Sequence, residues 1–263
     1  MNMLRFALAL APLFVLASCS MTSQISPDTQ KELAPTGKLR VGLNYGNFLL
    51  VLRDAPDGTP RGIAPDLARE LAKRLEVPVE FVKFDAAGKL ADGVKTMLWD
   101  VAFLGSEPQR AAEIAFSPAY LEIPVTFLVP AGSQIKTLAD VDKKGVRIAV
   151  ANKSAYHLFM MRELKNAELV SAEGIDGSYK LFLDSKLEAL AGLKPRLLTD
   201  QEKNPGSRVL DGQLTAVQQS IGTPKSRETA ARYLKEFAED VKKSGFVAEA
   251  IERHKVPGVS VAP

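Results

Sequence analysis

The most constraining feature of this sequence is a regular alternation of strand and helix patterns along its first half. Apolar residues alternate over 38–46, as in a strand, and 77–84 and 100–105 form two further apolar strand patterns. Between them, leucines recur every four residues over 65–75, and 88–98 fits a second helix. This order predicts a parallel sheet with crossover helices.

The same alternation restarts after an extended break. Strand patterns cover 145–151, 167–172 and 213–222, helix patterns cover 154–164 and 179–186, and two more helices close the chain. Two such units joined by extended segments predict an α/β protein with two lobes and a cleft between them. Each lobe is expected to hold a mostly parallel sheet flanked by helices.

Composition excludes several classes of function. The chain has 263 residues and a net charge of +3, with basic and acidic residues interspersed, so no nucleic-acid partner is expected. The two histidines, His157 and His254, have no spaced ligand cluster around them, so neither a metal site nor a cofactor is predicted. No nucleophile motif accompanies them, and no catalytic residue is assigned.

The first residues have the pattern of an export signal. A charged start is followed by an apolar run over 6–17, shorter than the roughly 20 residues that span a bilayer as a helix. Residues 1–18 are therefore predicted to be a signal peptide. Residues 19–37 are polar, contain two prolines, and are predicted to be a flexible tether.

The four residues Leu-Ala-Ser-Cys at 16–19 resemble a bacterial lipobox. The resemblance implies a lipid on Cys19 and a membrane-anchored protein in the periplasm. The alternative is a generic signal peptide with an incidental cysteine. Because Cys19 is the only cysteine, no internal disulfide can form.

Three stretches carry a resemblance to a known family. Residues 56–82 hold a turn and a glycine that lead into an Asp-Leu-Ala helix, 106–120 hold an arginine followed by Phe-Ser-x-x-Tyr, and 135–156 cross into the second unit. In this order they resemble the polar amino-acid-binding branch of the extracellular solute-binding proteins of bacterial ABC importers. The match covers about 38–256 and implies a type II periplasmic binding fold.

The resemblance implies a domain division and partners. Lobe 1 would comprise 38–129 plus 219–263, and lobe 2 would comprise 130–218, with a hinge of two crossing strands near Val129 and Gln219. The protein would be a monomer that binds an amino acid or related small carboxylate. It would deliver this solute to an ABC permease in the inner membrane.

Arg110 is the central site prediction. It follows the strand pattern of 100–105, and ligands of open α/β sheets lie beyond the carboxyl ends of strands. A guanidinium binds a carboxylate with two parallel hydrogen bonds, so the resemblance implies that Arg110 holds the solute's carboxylate. The alternative is a surface arginine paired to Glu107 or Glu113.

Lobe 2 offers a facing helix start. Ser154 fits the N-cap of the helix that begins at Ala155, and the family places a hydroxyl and amides here against the same carboxylate. Lys153 stands where the family often has glycine, and either adds a second positive charge or faces solvent. Ser154 as a cap without a ligand role stays open.

The sequence departs from the family where an α-ammonium would be held. Leu193 occupies the position of the usual aspartate, Gly105 replaces a hydroxyl residue, and Asn44 replaces an acid. An unpaired ammonium stripped of water beside leucine is costly. The hypothesis is a carboxylate without a conventionally held α-ammonium; under a shifted alignment, Asp184 or Glu173 would take the role.

The remaining first-lobe wall is predicted from residues that follow two strands. Tyr45 and Phe48 offer aromatic surface, Asn44 and Asn47 offer hydrogen bonds, and Ser106 follows Gly105. Either aromatic residue can equally belong to the core.

A binding protein is the leading interpretation, and two others compete with it. The fold also hosts periplasmic dehydratases of cyclic carboxylates, in which an arginine holds the carboxylate and an acid transfers the proton. No acid here is placed for that role. The third interpretation is a sensory or assembly partner of another envelope protein.

Overall fold

The structure is a computed structural model that describes residues 25–52 and 54–263. The predicted signal peptide at 1–18 and the lipidation site Cys19 lie outside these residues. No helix in the described ranges has the length and hydropathy needed to cross a bilayer.

Helices and strands alternate along the chain as the sequence predicts. The helices are α1 (Pro27–Leu33), α2 (Ile63–Arg74), α3 (Ala87–Asp92), α4 (Ala155–Glu163), α5 (Gly174–Asp184), α6 (Lys194–Lys203), α7 (Glu228–Lys243) and α8 (Phe246–His254). The strands are β1 (Leu39–Asn44), β2 (Val79–Phe84), β3 (Val101–Gly105), β4 (Ile114–Phe116), β5 (Leu121–Val129), β6 (Arg147–Ala151), β7 (Glu168–Ala172), β8 (Ala189–Leu193), β9 (Arg208–Val209), β10 (Thr215–Pro224) and β11 (Ser260–Val261).

The strands run in the order β2-β1-β3-β10-β5-β8-β6-β7. At one end β1 is parallel to β2 and β3, and at the other β6 is parallel to β7 and β8. Lobe 1 is built on the first group with α1–α3, α7 and α8, and lobe 2 is built on the second group with α4–α6. The predicted two-lobed α/β fold is confirmed, but the parallel strands of the two lobes belong to one continuous 11-stranded sheet rather than to two separate sheets.

Two long antiparallel strands, β5 and β10, connect the lobes. Residues Thr215–Gln219 of β10 pair with β5, and from Gln219 onward β10 pairs with β3. β5 in turn pairs with β8 from Val125. The hinge of two crossing strands is therefore present, whereas the residue boundaries at 129 and 219 stay predictions.

The core of lobe 1 lies between the sheet and its helices. Every residue of β3 is buried. α2 presents Ile63, Leu67 and Leu71 to the sheet, each fully buried. Burial of one such side chain contributes about 1.5–3 kcal/mol, so this face holds α2 in place.

The segment predicted as a flexible tether at 19–37 contains a helix, so that prediction is wrong from Pro27 onward. Ser26 caps α1 with its hydroxyl, and Leu33 is fully buried. Glu32 Oε2 accepts a hydrogen bond of 2.8 Å from the amide of Ala230 in the first turn of α7. These contacts tie the segment to lobe 1.

The sequence patterns did not predict α6. Its buried face includes Arg196 and Asp200, whose Nε and Oδ1 atoms are 2.8 Å apart. Because an ion pair fills part of the face that leucines would otherwise occupy, no apolar period marks the helix.

Candidate functional site

A narrow cavity of about 50 Å³ lies between the lobes. A buried water needs about 10–15 Å³ by this measure, so the space holds only a few water molecules or a small solute. The carboxyl ends of β1 and β3 form one wall, and the end of β6 with the start of α4 forms the other. Seven of the nine predicted ligand residues line it: Asn44, Asn47, Gly105, Arg110, Ser154, Ala155 and Leu193.

Arg110 is buried against the cavity, with 7% of its surface exposed. Its Nη1 donates to the Gly105 carbonyl at 2.5 Å, and its Nη2 donates across the cleft to the Lys153 carbonyl at 2.8 Å. Desolvation lowers the pKa of Arg110 to about 10, so the group is charged at neutral pH. Among the described residues no carboxylate forms an ion pair with it.

The alternative partners of Arg110 are engaged elsewhere or absent. Glu107 Oε2 lies 3.3 Å from Nη1 of Arg162, which belongs to lobe 2. Glu113 forms no ion pair with Arg110 in the part of the chain that the structure describes. The buried guanidinium therefore has carbonyl partners but no anionic one.

No α-helix begins at Arg110 in the structure. Residues Arg110–Ala112 form a single 3₁₀ turn. The amides of Arg110 and Ala111 donate to the Glu107 carbonyl at 3.0 and 3.1 Å. Because these donors already have a partner, the guanidinium rather than a helix terminus supplies the positive charge here.

Ser154 is the N-cap of α4, as predicted. Its hydroxyl accepts from the amide of His157 at 3.1 Å. The preceding Lys153 has a φ of 51°. Its ammonium is 2.8 Å from Asp92 Oδ2 of lobe 1, so its charge lies at the rim of the cleft.

The two asparagines stabilise the turn after β1. Asn44 Oδ1 accepts from the amide of Gly46 at 3.1 Å, and Asn47 Oδ1 accepts from the amide of Leu49 at 3.2 Å. With one lone pair of each oxygen bound to the backbone, both side chains still offer N–H donors to a solute.

Tyr45 and Ser106, two of the predicted ligand residues, do not line the cavity. The Tyr45 hydroxyl donates to Asp54 Oδ1 at 3.0 Å, and the Lys83 ammonium lies 4.8 Å from its ring centroid. The Ser106 hydroxyl donates to the Gln218 carbonyl at 3.3 Å. Because each side chain is paired locally, both point away from the cleft. The sequence pattern did not reveal this pairing.

Gly105 is a point of close contact between the lobes. A Cβ atom there would lie 2.6 Å from Val217 Cγ1 and 2.9 Å from Ala155 Cβ of α4. A side chain at this position would hold α4 away from β3. Gly105, which stands where the family has a hydroxyl residue, therefore lies where the cleft closes tightly.

The cavity offers little negative charge. Leu193 lines it and is 4% exposed. The alternative ammonium ligands pair outside it: Glu173 with Lys89, and Asp184 with Lys180.

Glu188 accepts hydrogen bonds from Arg147 with both carboxylate oxygens, at 2.8 and 2.9 Å. The lining carboxylate among the described residues is Asp85. Its side chain is 72% exposed and lies 2.8 Å from the Lys89 ammonium. No buried carboxylate lines the cavity in this part of the chain.

Tyr156 and Gln219 are among the lining residues that sequence reasoning missed. The Tyr156 hydroxyl and Gln219 Oε1 are buried without a hydrogen-bond partner among the described residues. Burial raises the pKa of Tyr156 to about 12, so the phenol keeps its proton. The sequence identifies Gln219 only as a hinge position. Its polar side chain in a crossing strand was the signal that could have marked it as a site residue.

Ion pairs link the lobes around the rim of the cavity. Three join lobe 1 to lobe 2: Asp92 with Lys153, Glu107 with Arg162, and Lys89 with Glu173. Together with the Arg110–Lys153 hydrogen bond, they show that this structure is a closed form.

The comparisons with known proteins agree with this architecture. The family model described as bacterial extracellular solute-binding proteins, family 3, matches residues 39–256.

Among solved structures, the solute receptor for L-cysteine of Neisseria gonorrhoeae has a TM-score of 0.73 at 21% identity, over 87% of this chain and 94% of that chain. A mutant of ArgBP from T. maritima has a TM-score of 0.71 at 22% identity, over 86% and 99%. The ancestral amino acid-binding protein AncCDT-1, a precursor of cyclohexadienyl dehydratase, has a TM-score of 0.69 at 23% identity, over 86% and 98%. These likenesses establish the type II periplasmic binding fold.

Proposed function

Because the chain belongs to family 3 of the bacterial extracellular solute-binding proteins, we propose that it is the receptor of an ABC importer and binds a small carboxylate between its lobes. The chain is a binding protein rather than an enzyme. The observation that carries the solute class is Arg110, a buried cation that lines the cavity without an anionic partner among the described residues.

A buried, unpaired guanidinium is costly, and an incoming carboxylate offsets that cost. A charge removed from water is stabilised only by an opposite charge and by well-oriented hydrogen bonds. A solute carboxylate that binds Arg110 adds the opposite charge that the Gly105 and Lys153 carbonyls, its present acceptors, do not carry.

We further propose that the solute lacks a conventionally held α-ammonium. Leu193 supports this, since it is buried in the cavity wall and no buried carboxylate lines the cavity in the described residues. An ammonium there would lose its water without gaining a counter-charge.

The test is ligand-induced stabilisation of the purified protein across amino acids, hydroxy acids, keto acids and aromatic acids. A ligand at about 100 times its Kd adds about 2.7 kcal/mol to the free energy of unfolding. We expect this with carboxylates that lack an amine, and we expect it to disappear in Arg110→Ala.

Arg208→Ala is the matched control. Arg208 also donates to a backbone carbonyl, that of Ile135, but it lies outside the cavity. Strong stabilisation by ordinary amino acids would refute the ammonium argument and keep the receptor. Stabilisation that survives Arg110→Ala would refute the role of the arginine.

The anchoring and localisation proposals rest on the sequence. We propose that Cys19 carries a lipid that holds the receptor in the periplasm next to its permease. Replacing Cys19 with serine should release the protein from the membrane fraction, as cell fractionation would reveal. Retention of the serine variant in membranes would contradict lipidation.

A further inference from the structure

Two residues of the cavity wall carry a buried polar atom that has no hydrogen-bond partner in the described part of the chain. The two atoms are the Tyr156 hydroxyl, on a residue 3% exposed, and Gln219 Oε1, on a residue 4% exposed. Buried polar groups in folded proteins are nearly always hydrogen-bonded. Two exceptions in the wall of one cavity indicate that a bound solute supplies the missing partners.

The two residues lie on opposite lobes but converge near Gly105. Gln219 on β10 is the register partner of Gly105 on β3, whose carbonyl accepts from Arg110. Tyr156 is in the first turn of α4, directly after Ala155, which contacts Gly105 from lobe 2. The guanidinium, the amide and the phenol therefore belong to residues that line the same cavity.

The hydrogen-bonding capacity of these groups restricts what the solute carries next to its carboxylate. Gln219 Oε1 only accepts, whereas the Tyr156 hydroxyl both donates and accepts. A solute hydroxyl can donate to Gln219 and accept from Tyr156. A keto oxygen can only accept, and it leaves Gln219 without a donor.

An ammonium can donate to both groups but adds a positive charge to the cavity. Arg110 already contributes one there, and no buried carboxylate lines the cavity in the described residues. A neutral hydroxyl satisfies both orphan atoms without a counter-charge.

We propose that the solute is a small 2-hydroxy acid, with its carboxylate on Arg110 and its hydroxyl between Tyr156 and Gln219. This inference rests on the proposed function and names the substrate class of the same site. The cavity of about 50 Å³ and the close approach of the lobes at Gly105 restrict the solute to a short chain.

The test uses matched sets of acids that differ only at the second carbon. Calorimetric titration of the purified full chain would compare L-lactate, pyruvate and L-alanine, and then the hydroxy, keto and amino forms of the four- and five-carbon chains. We expect the hydroxy acid to bind at least about tenfold more tightly than its keto and amino counterparts, because a buried acceptor left unpaired, or a charge left uncompensated, is unfavourable.

Two substitutions assign the preference to its residues. Tyr156→Phe removes one hydroxyl and Gln219→Leu removes the acceptor. Gln219→Leu should weaken hydroxy-acid binding about fivefold or more and leave keto-acid binding nearly unchanged, which reduces the preference itself. Tyr156→Phe should weaken the binding of both, because both oxygens accept from the phenol. A loss of folding alone would not change the ratio between two ligands of one variant.

The chain offers matched controls. Tyr120 is also fully buried with an unpartnered hydroxyl, but it does not line the cavity, so Tyr120→Phe should keep the preference. Gln218 is the neighbour of Gln219, and its Nε2 donates to Glu122 at 2.8 Å, so Gln218→Leu should keep it as well.

The outcomes separate this inference from the proposed function. Binding that depends on Arg110 but is equal for hydroxy, keto and amino forms would overturn the hydroxy-acid assignment and keep the carboxylate receptor. A preference that survives Gln219→Leu would overturn the assignment to these residues, and so would undiminished hydroxy-acid binding in Tyr156→Phe. Failure of every carboxylate to bind would overturn the proposed function together with the inference.

Discussion

Two buried charges lie at opposite ends of β3, and their surroundings differ. Asp100, just before the strand, is fully buried and accepts from Arg40 Nη2 at 2.7 Å and from Arg227 Nη1 at 2.8 Å. Arg110, beyond the other end, is nearly as buried but has backbone carbonyls as partners. One charge is neutralised by ion pairs, and the other forms no ion pair in the part of the chain that the structure describes.

The difference separates a charge that holds the fold from one that receives a ligand. The partners of Asp100 come from positions 60 and 127 residues away in sequence, which joins β1 and the start of α7 to β3. An ion pair whose partners are so distant in sequence stabilises the folded chain. A buried charge without a counter-charge in a cavity is stabilised only when a ligand of opposite charge binds.

The largest effect is expected from breaking the ion-pair cluster of Asp100, Arg40 and Arg227. Asp100→Asn leaves Arg40 and Arg227 without their anion, and removal of one partner of a buried ion pair costs about 3–5 kcal/mol. Urea unfolding should show this loss. Asp240→Asn is the control, because this carboxylate binds Arg74 on the surface with 58% of its side chain exposed and should cost about 1 kcal/mol or less. A similar small loss in Asp100→Asn would contradict the comparison.

A second substitution acts at the open end of β3. Gly105→Ser places atoms within 2.9 Å of Val217 and Ala155, so the lobes must separate. Overpacking of this kind costs the closed form about 1–3 kcal/mol. Small-angle scattering should report a larger radius of gyration and titration should report weaker binding. At Gly177 an added Cβ comes no closer than 3.6 Å to other atoms, so Gly177→Ser should keep the wild-type radius.

A third substitution removes the buried guanidinium of Arg110. Arg110→Met should change the free energy of unfolding by about 1 kcal/mol or less. The relief of a buried, unpaired charge offsets the lost hydrogen bonds to Gly105 and Lys153. Urea unfolding without solute is the measurement. A loss of unfolding free energy as large as that of Asp100→Asn would show that Arg110 stabilises the fold. The contrast between the two ends of β3 would then disappear.

The smallest expected effect concerns the rim. Asp92 is 43% exposed and Lys153 is 55% exposed, so Asp92→Asn should weaken solute binding by about 1 kcal/mol or less, and by less still at high salt. Asp184→Asn, within lobe 2, should have no effect on binding.

The same pair sets a pH dependence. The hydrogen bond from Lys153 lowers the pKa of Asp92 below its usual value. A carboxyl with a depressed pKa contributes above its ordinary titration range and loses that contribution as the pH falls through the lowered pKa. Closure should therefore be insensitive to pH near neutrality and weaken in acid. An effect of Asp92→Asn that persists in strong acid would contradict this origin.

The fold could be predicted largely from sequence, because strand and helix periods and their order are local signals. Ser154 as an N-cap and Arg110 after a buried strand were found in the same way. The helix α6 was missed because Arg196 and Asp200 neutralise each other within its buried face.

The incomplete parts of the site were not predictable from local patterns. That Tyr156 and Gln219 lack partners depends on which atoms distant segments bring nearby. Tyr45 was misplaced for the same reason, since its contacts with Asp54 and Lys83 join separate parts of lobe 1. Hydrogen-bond satisfaction is a property of the folded chain.

If Cys19 carries a lipid, the docking of α1 determines which lobe is tethered to the membrane. Glu32 and Leu33 tie the N-terminal segment to lobe 1, and eight residue steps separate Cys19 from Pro27. With a lipid on Cys19, these steps reach at most about 29 Å at full extension. Lobe 1 would then stay within one protein diameter of the bilayer while lobe 2 swings over it. The receptor would find its permease by lateral diffusion in the membrane plane, and each capture of solute would be a movement of lobe 2 alone.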